Sequence, residues 1–199
     1  MSNHIIKNYF SIYIWRILSV ISGFLSLIVI IPSISSNQEI YGIYSLVVSL
    51  NIYLTYADLG FLNACQKFAA EEYAKNNIGE ELKIIGFSLA ILILISIPFM
   101  FVMTFLTLDP SLIINGLDEE SIVVAKSLFL ILGFGTPIQI LFQRTAKSIL
   151  SIRLKDFVGL KYDFTFNILK IISINYFFDQ GKYLIVEYFL FSTLMSITS

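Results

Sequence analysis

The stretch 84-IIGFSLAILILISIPFMFVMTFLTL-108 contains no charged side chain. As a helix rising 1.5 Å per residue, it is long enough to cross the roughly 30 Å hydrocarbon core of a bilayer. Pro98 lies inside it and is predicted to kink the helix, because its ring removes one backbone hydrogen bond. Similar runs flank it. Towards the C-terminus, residues 122–143 are apolar, with Lys126 near the start and 133-GFGTP-137 in the middle. Residues 157–178 form a weaker run that carries Lys161, Asp163 and Lys170, and a last run begins near Tyr183 and is still apolar at Ser199. Towards the N-terminus lie runs at 40–63 and 10–31, the latter ending at Pro32 and a Ser-rich loop. The pattern predicts an all-α integral membrane fold of six transmembrane helices in three hairpins, forming one domain over 1–199.

Composition points the same way. Hydrophobic residues make up 57% of the chain and charged residues 14%, against about a quarter charged in a soluble domain. Too few polar side chains remain to cover a water-facing globule. The first run is too long for the apolar core of a signal peptide, so it is expected to be a retained helix. Net charge is −1, which argues against a nucleic-acid partner. The single cysteine, Cys65, forms neither an internal disulfide nor a metal site by itself. No cofactor is expected.

Lys and Arg alternate between connectors. Residues 33–39 and 109–121 hold none, whereas 65–83 hold Lys67, Lys75 and Lys83, and 143–161 hold Arg144, Lys147, Arg153, Lys155 and Lys161. The positive-inside rule then predicts a cytoplasmic N-terminus. The basic stretch Arg144–Lys155 reads either as an amphipathic helix on the inner leaflet or as an ordinary basic loop.

Polar residues inside the spans are the candidate functional groups. Arg16, Ser19, Gly23 and Ser26 recur at three- and four-residue steps, hence on one face of the first helix. A charge at the bilayer centre costs about 2.5–3.5 kcal/mol on insertion scales, so it faces a cavity or partner, or its long stem snorkels to the headgroups. In the second helix Gly42 and Ser45 predict close helix packing, and Ser49, Asn51 and Asp58 add polarity. Asp58 is read as a cap, as a partner of Arg16, or as an ion-coupling acid. Asp163, Asn167 and Lys170 fall at i, i+4 and i+7, which gives the fifth predicted helix one polar face turned to an interior. His4 is the only histidine, and no catalytic triad, zincin or P-loop pattern occurs, so an enzyme is not expected.

The segments 39-EIYGIYSL-46, 57-ADLGFLNA-64 and 66-QKFAAE-71, together with Arg16 and the Ser-Gly spacing after it, resemble the bacterial O-antigen and polysaccharide flippases. These belong to the oligosaccharidyl-lipid branch of the MATE-like multidrug/oligosaccharidyl-lipid/polysaccharide exporter superfamily. The resemblance implies translocation of an undecaprenyl-pyrophosphate-linked repeat unit across the bacterial inner membrane. It implies partners among membrane lipids, the lipid-linked oligosaccharide, and the polymerase and glycosyltransferases of the same pathway. By this resemblance Arg16 would meet the pyrophosphate and Lys170 would assist it. Ser19, Ser26, Ser49, Asn51 and Asn167 would serve sugar hydroxyls, with Asp58 and Asp163 in structural or coupling roles. Such flippases have about twice as many helices, so the chain is expected to be the N-terminal lobe of a longer two-lobed transporter. The alternatives are a cation-coupled MATE-type exporter, which needs an acid poised mid-membrane, and a non-transporting membrane assembly subunit.

Overall fold

The computed structural model describes residues 2–57, 60–178 and 183–198. They form helices α1 (Ser2–Ile34), α2 (Gln38–Tyr56), α3 (Phe61–Ala74), α4 (Ile78–Leu108), α5 (Glu119–Ile152), α6 (Asp156–Phe178) and α7 (Ile185–Ile197), with a short 3-10 turn at Pro110–Leu112. Among the described residues three helical stretches are long and apolar enough to cross a membrane: Asn8–Ile34, Ile78–Leu108 and Glu119–Ile152. The chain is a membrane protein. The other three expected spans are less apolar or shorter. Helix α2 opens with Gln38 and Glu39, α6 carries Asp156, Lys161, Asp163 and Lys170, and Ile185–Ile197 is a short apolar helix.

Several predicted boundaries move. Pro32 falls in the last turn of α1 instead of ending it. The expected second helix, 40–63, is broken: α2 ends at Tyr56, and Gly60 adopts φ 81° before α3 begins. A residue with a side chain rarely takes that conformation, so Gly60 makes the break possible. The segment 65–83, expected as a basic loop, is instead most of α3 and the first turns of α4. Helix α3 packs on α4, with Phe61 edge-on to Phe87 and Ala69 buried with Ile85. The basic stretch from Arg144 continues α5 without interruption to Ile152.

Helix α5 is the hub. Ala125, Leu128, Phe129 and Leu132 are fully buried against Ile43 and Val47 of α2, Met103 of α4 and Phe189 of α7. In lipid such contacts are held by close van der Waals packing more than by exclusion of water. The 133-GFGTP-137 motif supplies that closeness. A Cβ on Gly133 would stand 2.7 Å from Met103 Cβ, and one on Gly135 would stand 2.7 Å from Thr193 Cγ2. Pro137 is buried inside α5 without ending it. Gly42, expected at a tight helix contact, is exposed with nothing within 4 Å of an added Cβ.

Helix α1 makes its main contact with α6, not with its chain neighbour α2. The two run parallel: Asn8 reaches the Leu154 carbonyl at one end, Trp15 meets Phe164, and Ile30 is buried with Ile174 at the other. The connectors sort by charge between the two ends. Asn8, Tyr73, Glu81 and Arg153 gather at the basic end, while the opposite end joins Glu39 to the backbone of Asp118 and Tyr183 to the Ile34 carbonyl.

Candidate functional site

Two cavities follow each other along the α1–α6 seam. The one at the basic end has a volume of about 670 Å³. Arg16 enters it from α1, Arg144 and Lys147 from α5, and Asp156 and Asp163 from α6. Among the described residues three cations thus face two carboxylates. Lys147 Nζ donates to both oxygens of Asp163 at 2.9 Å, across half-buried side chains. Asp163 is therefore engaged by a cation. The remaining wall is rich in neutral polar groups: the amides of Asn63 and Gln66, and the hydroxyls of Tyr56, Ser88, Thr145 and Ser148.

The second cavity, about 450 Å³, lies between α1, α2, α6 and α7. Gly23, Phe24 and Ser26 line it from α1, Tyr44 from α2, Asn167 and Lys170 from α6, and Tyr188 and Ser192 from α7. Lys170 Nζ donates to Ser196 Oγ at 2.9 Å. A clasp lies between the cavities. Asn167 Nδ2 donates to Ser22 Oγ at 3.0 Å and to the Ser19 carbonyl at 3.5 Å, and Ser22 Oγ donates back to that carbonyl at 2.9 Å.

The expected site residues are divided by this arrangement. Arg16 and Asp163 belong to the basic cavity, whereas Ser26, Asn167 and Lys170 belong to the second. Ser19 takes part through its carbonyl. Ser49 and Asn51 line neither cavity; Ser49 Oγ is exposed and donates to the Ser45 carbonyl in its own helix. Asp58, with its expected cap or its pairing to Arg16, lies outside the described residues.

Sequence reasoning missed Ser22, Arg144, Lys147, Asn63 and Gln66. Steps of three or four from Ser19 reach both Ser22 and Gly23, and only the packing of α6 selects Ser22. Also missed was the brace beside the basic cavity. Glu81, in the first turn of α4, is fully buried, and Arg153 Nη2 stands 3.0 Å from its Oε1. The contact is Coulombic, since the carboxylate oxygens make no hydrogen bond among the described residues. The guanidinium also sits 5.2 Å over the Tyr73 ring and donates to the Ile149 carbonyl at 3.2 Å. On the surface nearby, hydrogen bonds from Lys75 and Asn77 hold the Glu72 carboxyl below the usual carboxylate range.

The family model described as MatE matches residues 12–152, a span that runs from the first turns of α1 to the last residue of α5. No similar curated protein and no similar solved structure was found.

Proposed function

Because the chain belongs to the MatE family, it is a membrane transporter of the MATE-like superfamily, and we propose that its cargo is a lipid-linked oligosaccharide whose pyrophosphate is received in the basic cavity. One observation carries this reading: among the described residues the cavity sets three cations and two carboxylates beside a wall of amides and hydroxyls. A pyrophosphate headgroup brings charge and many hydrogen-bonding groups, which are costly to strand in hydrocarbon without replacement partners. Arg16 carries a planar donor fork suited to phosphate oxygens, and Asn63, Gln66 and Thr145 suit sugar hydroxyls. A cation-coupled exporter instead needs an acid available to exchange ions; Asp163 is held by Lys147 through both oxygens, which argues against that one acid in the role.

The same proposal takes the basic end as cytoplasmic in a bacterial inner membrane, by the positive-inside rule. It takes α2, α6 and α7 as crossing together with the three most apolar helices, and the chain as one non-enzymatic lobe of a two-lobed transporter. It places the polymerase and glycosyltransferases of a polysaccharide pathway around it. The test is reconstitution of the full-length natural protein in vesicles with a fluorescent polyprenyl-pyrophosphate oligosaccharide. Leaflet exchange is expected, falling at least tenfold in Arg16→Ala. Export of a cationic dye driven by a sodium or proton gradient, with no exchange of the lipid, would overturn the reading.

A further inference from the structure

The basic cavity already contains an anion of its own. Asp163 presents its carboxylate to the cavity from α6, and Lys147 of α5 donates to both of its oxygens at 2.9 Å. The Lys147 stem lies along Gly159, one turn earlier on α6, where an added Cβ would stand 3.7 Å from Lys147 Cγ. This pair differs in kind from the Glu81–Arg153 brace at the same end. Glu81 is fully buried, so that pair cannot change partners without stranding a charge. The Lys147 side chain is 40% exposed and that of Asp163 is 22% exposed, so water and solutes in the cavity reach both. Ion pairs that water reaches add little stability and are readily broken. Nor is the carboxylate left alone when Lys147 leaves it. Lys170 lies two turns further along the same face of α6 and attracts Asp163 through space, while its own ammonium donates to Ser196.

We propose that Asp163 is the internal counter-anion of the basic cavity: its carboxylate occupies Lys147 while the cavity is empty, yields it to an entering anionic headgroup, and retakes it as the headgroup leaves. The inference rests on the reading of that cavity as the receiver of an anionic headgroup, and it adds a means of release. Attraction that holds the cargo equally at rest and in passage does not speed turnover, by the same reasoning that applies to substrate binding in enzymes. An acid seated on one of the cations competes with the cargo for it. The cargo's hold is then the difference between two similar attractions, and departure is assisted by the returning carboxylate. Asp163 acts through Lys147 and does not touch the cargo, so it is a positioning residue.

The test uses the full-length natural protein in detergent, with inorganic pyrophosphate as the probe in calorimetric titration. Asp163→Asn keeps the shape of the side chain but removes the competing charge, so affinity is expected to rise at least fivefold. In a Lys147→Gln background the same change should raise it less than twofold, because the competition runs through Lys147. A gain of equal size in both backgrounds would mean that Asp163 merely repels anions, and it overturns the proposal. So does an unchanged affinity in a folded Asp163→Asn, or pyrophosphate binding by neither protein. Should Asp163→Asn fail to fold, infrared difference spectra of the native protein with isotope-labelled aspartate decide instead. Pyrophosphate should shift a carboxylate band, and Lys147→Gln should show that band already shifted without ligand; a band that stays in place overturns the proposal. In the vesicle assay Asp163→Asn should lower both the half-saturating concentration of the lipid-linked oligosaccharide and the maximal rate of exchange. Tighter binding with an unchanged maximal rate overturns the release role. The two readings fail separately. A Lys147-dependent gain in pyrophosphate affinity, with no leaflet exchange by the native protein, removes the transport reading and leaves the counter-anion. Exchange that depends on Arg16, with wild-type affinity in Asp163→Asn, removes the counter-anion alone.

Discussion

Asn167 of α6 and Ser22 of α1 are joined side chain to side chain at 3.0 Å, at the level where one cavity ends and the other begins. The bond links two parallel helices whose remaining contacts are mostly apolar or aromatic, such as Trp15 with Phe164. Polar bonds between helices in membranes contribute modestly, with measured couplings averaging about 0.6 kcal/mol. Its role is therefore positional more than stabilising: it ties the middle of α6 to the middle of α1.

A double-mutant cycle tests the link. Ser22→Ala and Asn167→Ala are each expected to lower stability by about 0.5–1.5 kcal/mol, and the double variant by clearly less than their sum. Reversible unfolding in mixed micelles reads the three values. Strict additivity would mean that the two side chains do not interact.

Glycines set the second prediction. Gly133→Ala places a methyl 2.7 Å from Met103 Cβ, and Gly135→Ala places one 2.7 Å from Thr193 Cγ2. Overpacking of this kind costs about 1–3 kcal/mol. Because the first collision is with a Cβ, Met103→Ala should not relieve Gly133→Ala, whereas Met103→Gly should relieve it in part. Thermal midpoints in detergent decide the case: equal recovery by both second-site changes would contradict the geometry.

What the sequence reveals follows from how local each feature is. The face made by Asp163, Asn167 and Lys170 was legible, since one helix and a four-residue step define it. So was the segregation of basic and acidic connectors to opposite ends. The division of that face between two cavities was not, because it depends on where α1 lies. Arg144 and Lys147 were hidden by their place in a stretch that also reads as a basic loop. Lys147 finds Asp163 sixteen residues away across a helix turn, and Arg153 finds Glu81 across a still longer separation. Periodicity carries no trace of such pairs. Ser49 illustrates the converse: a serine on a helix satisfies itself on the carbonyl four residues back, so its polarity did not mark a cavity.

At the acidic end, a pH dependence is expected from Asp118. Its Oδ1 accepts the Ser121 backbone N–H at 2.7 Å and caps α5, and that bond holds its carboxyl below the usual range. A depressed folded value means that the stabilisation is present above the unfolded carboxylate pKa and is lost as pH falls through the lower folded value. Asp118→Asn keeps an acceptor oxygen but cannot titrate. The thermal midpoint of the native protein should therefore exceed that of Asp118→Asn at neutral pH and approach it in acid. A gap independent of pH would exclude the charge as the source.

The brace at the basic end yields an asymmetric prediction. Glu81 is fully buried, whereas the Arg153 side chain is one-third exposed. Arg153→Met strips the buried carboxylate of the cation beside it, a type of change that costs about 3–5 kcal/mol for fully buried pairs and less here because water reaches the guanidinium. Glu81→Gln leaves behind an arginine that solvent, Tyr73 and the Ile149 carbonyl still accommodate, so its cost should be clearly smaller. The double variant Glu81→Gln, Arg153→Met should recover much of the loss, since no charge is then buried. Because the brace ties α4 to the end of α5 beside the basic cavity, Arg153→Met should also raise hydrogen exchange in α3 and the first turns of α4 before other helices respond. Protection factors by mass spectrometry give the order. A uniform rise across all helices, or equal destabilisation by both single variants, would show that Glu81 and Arg153 do not act as a pair.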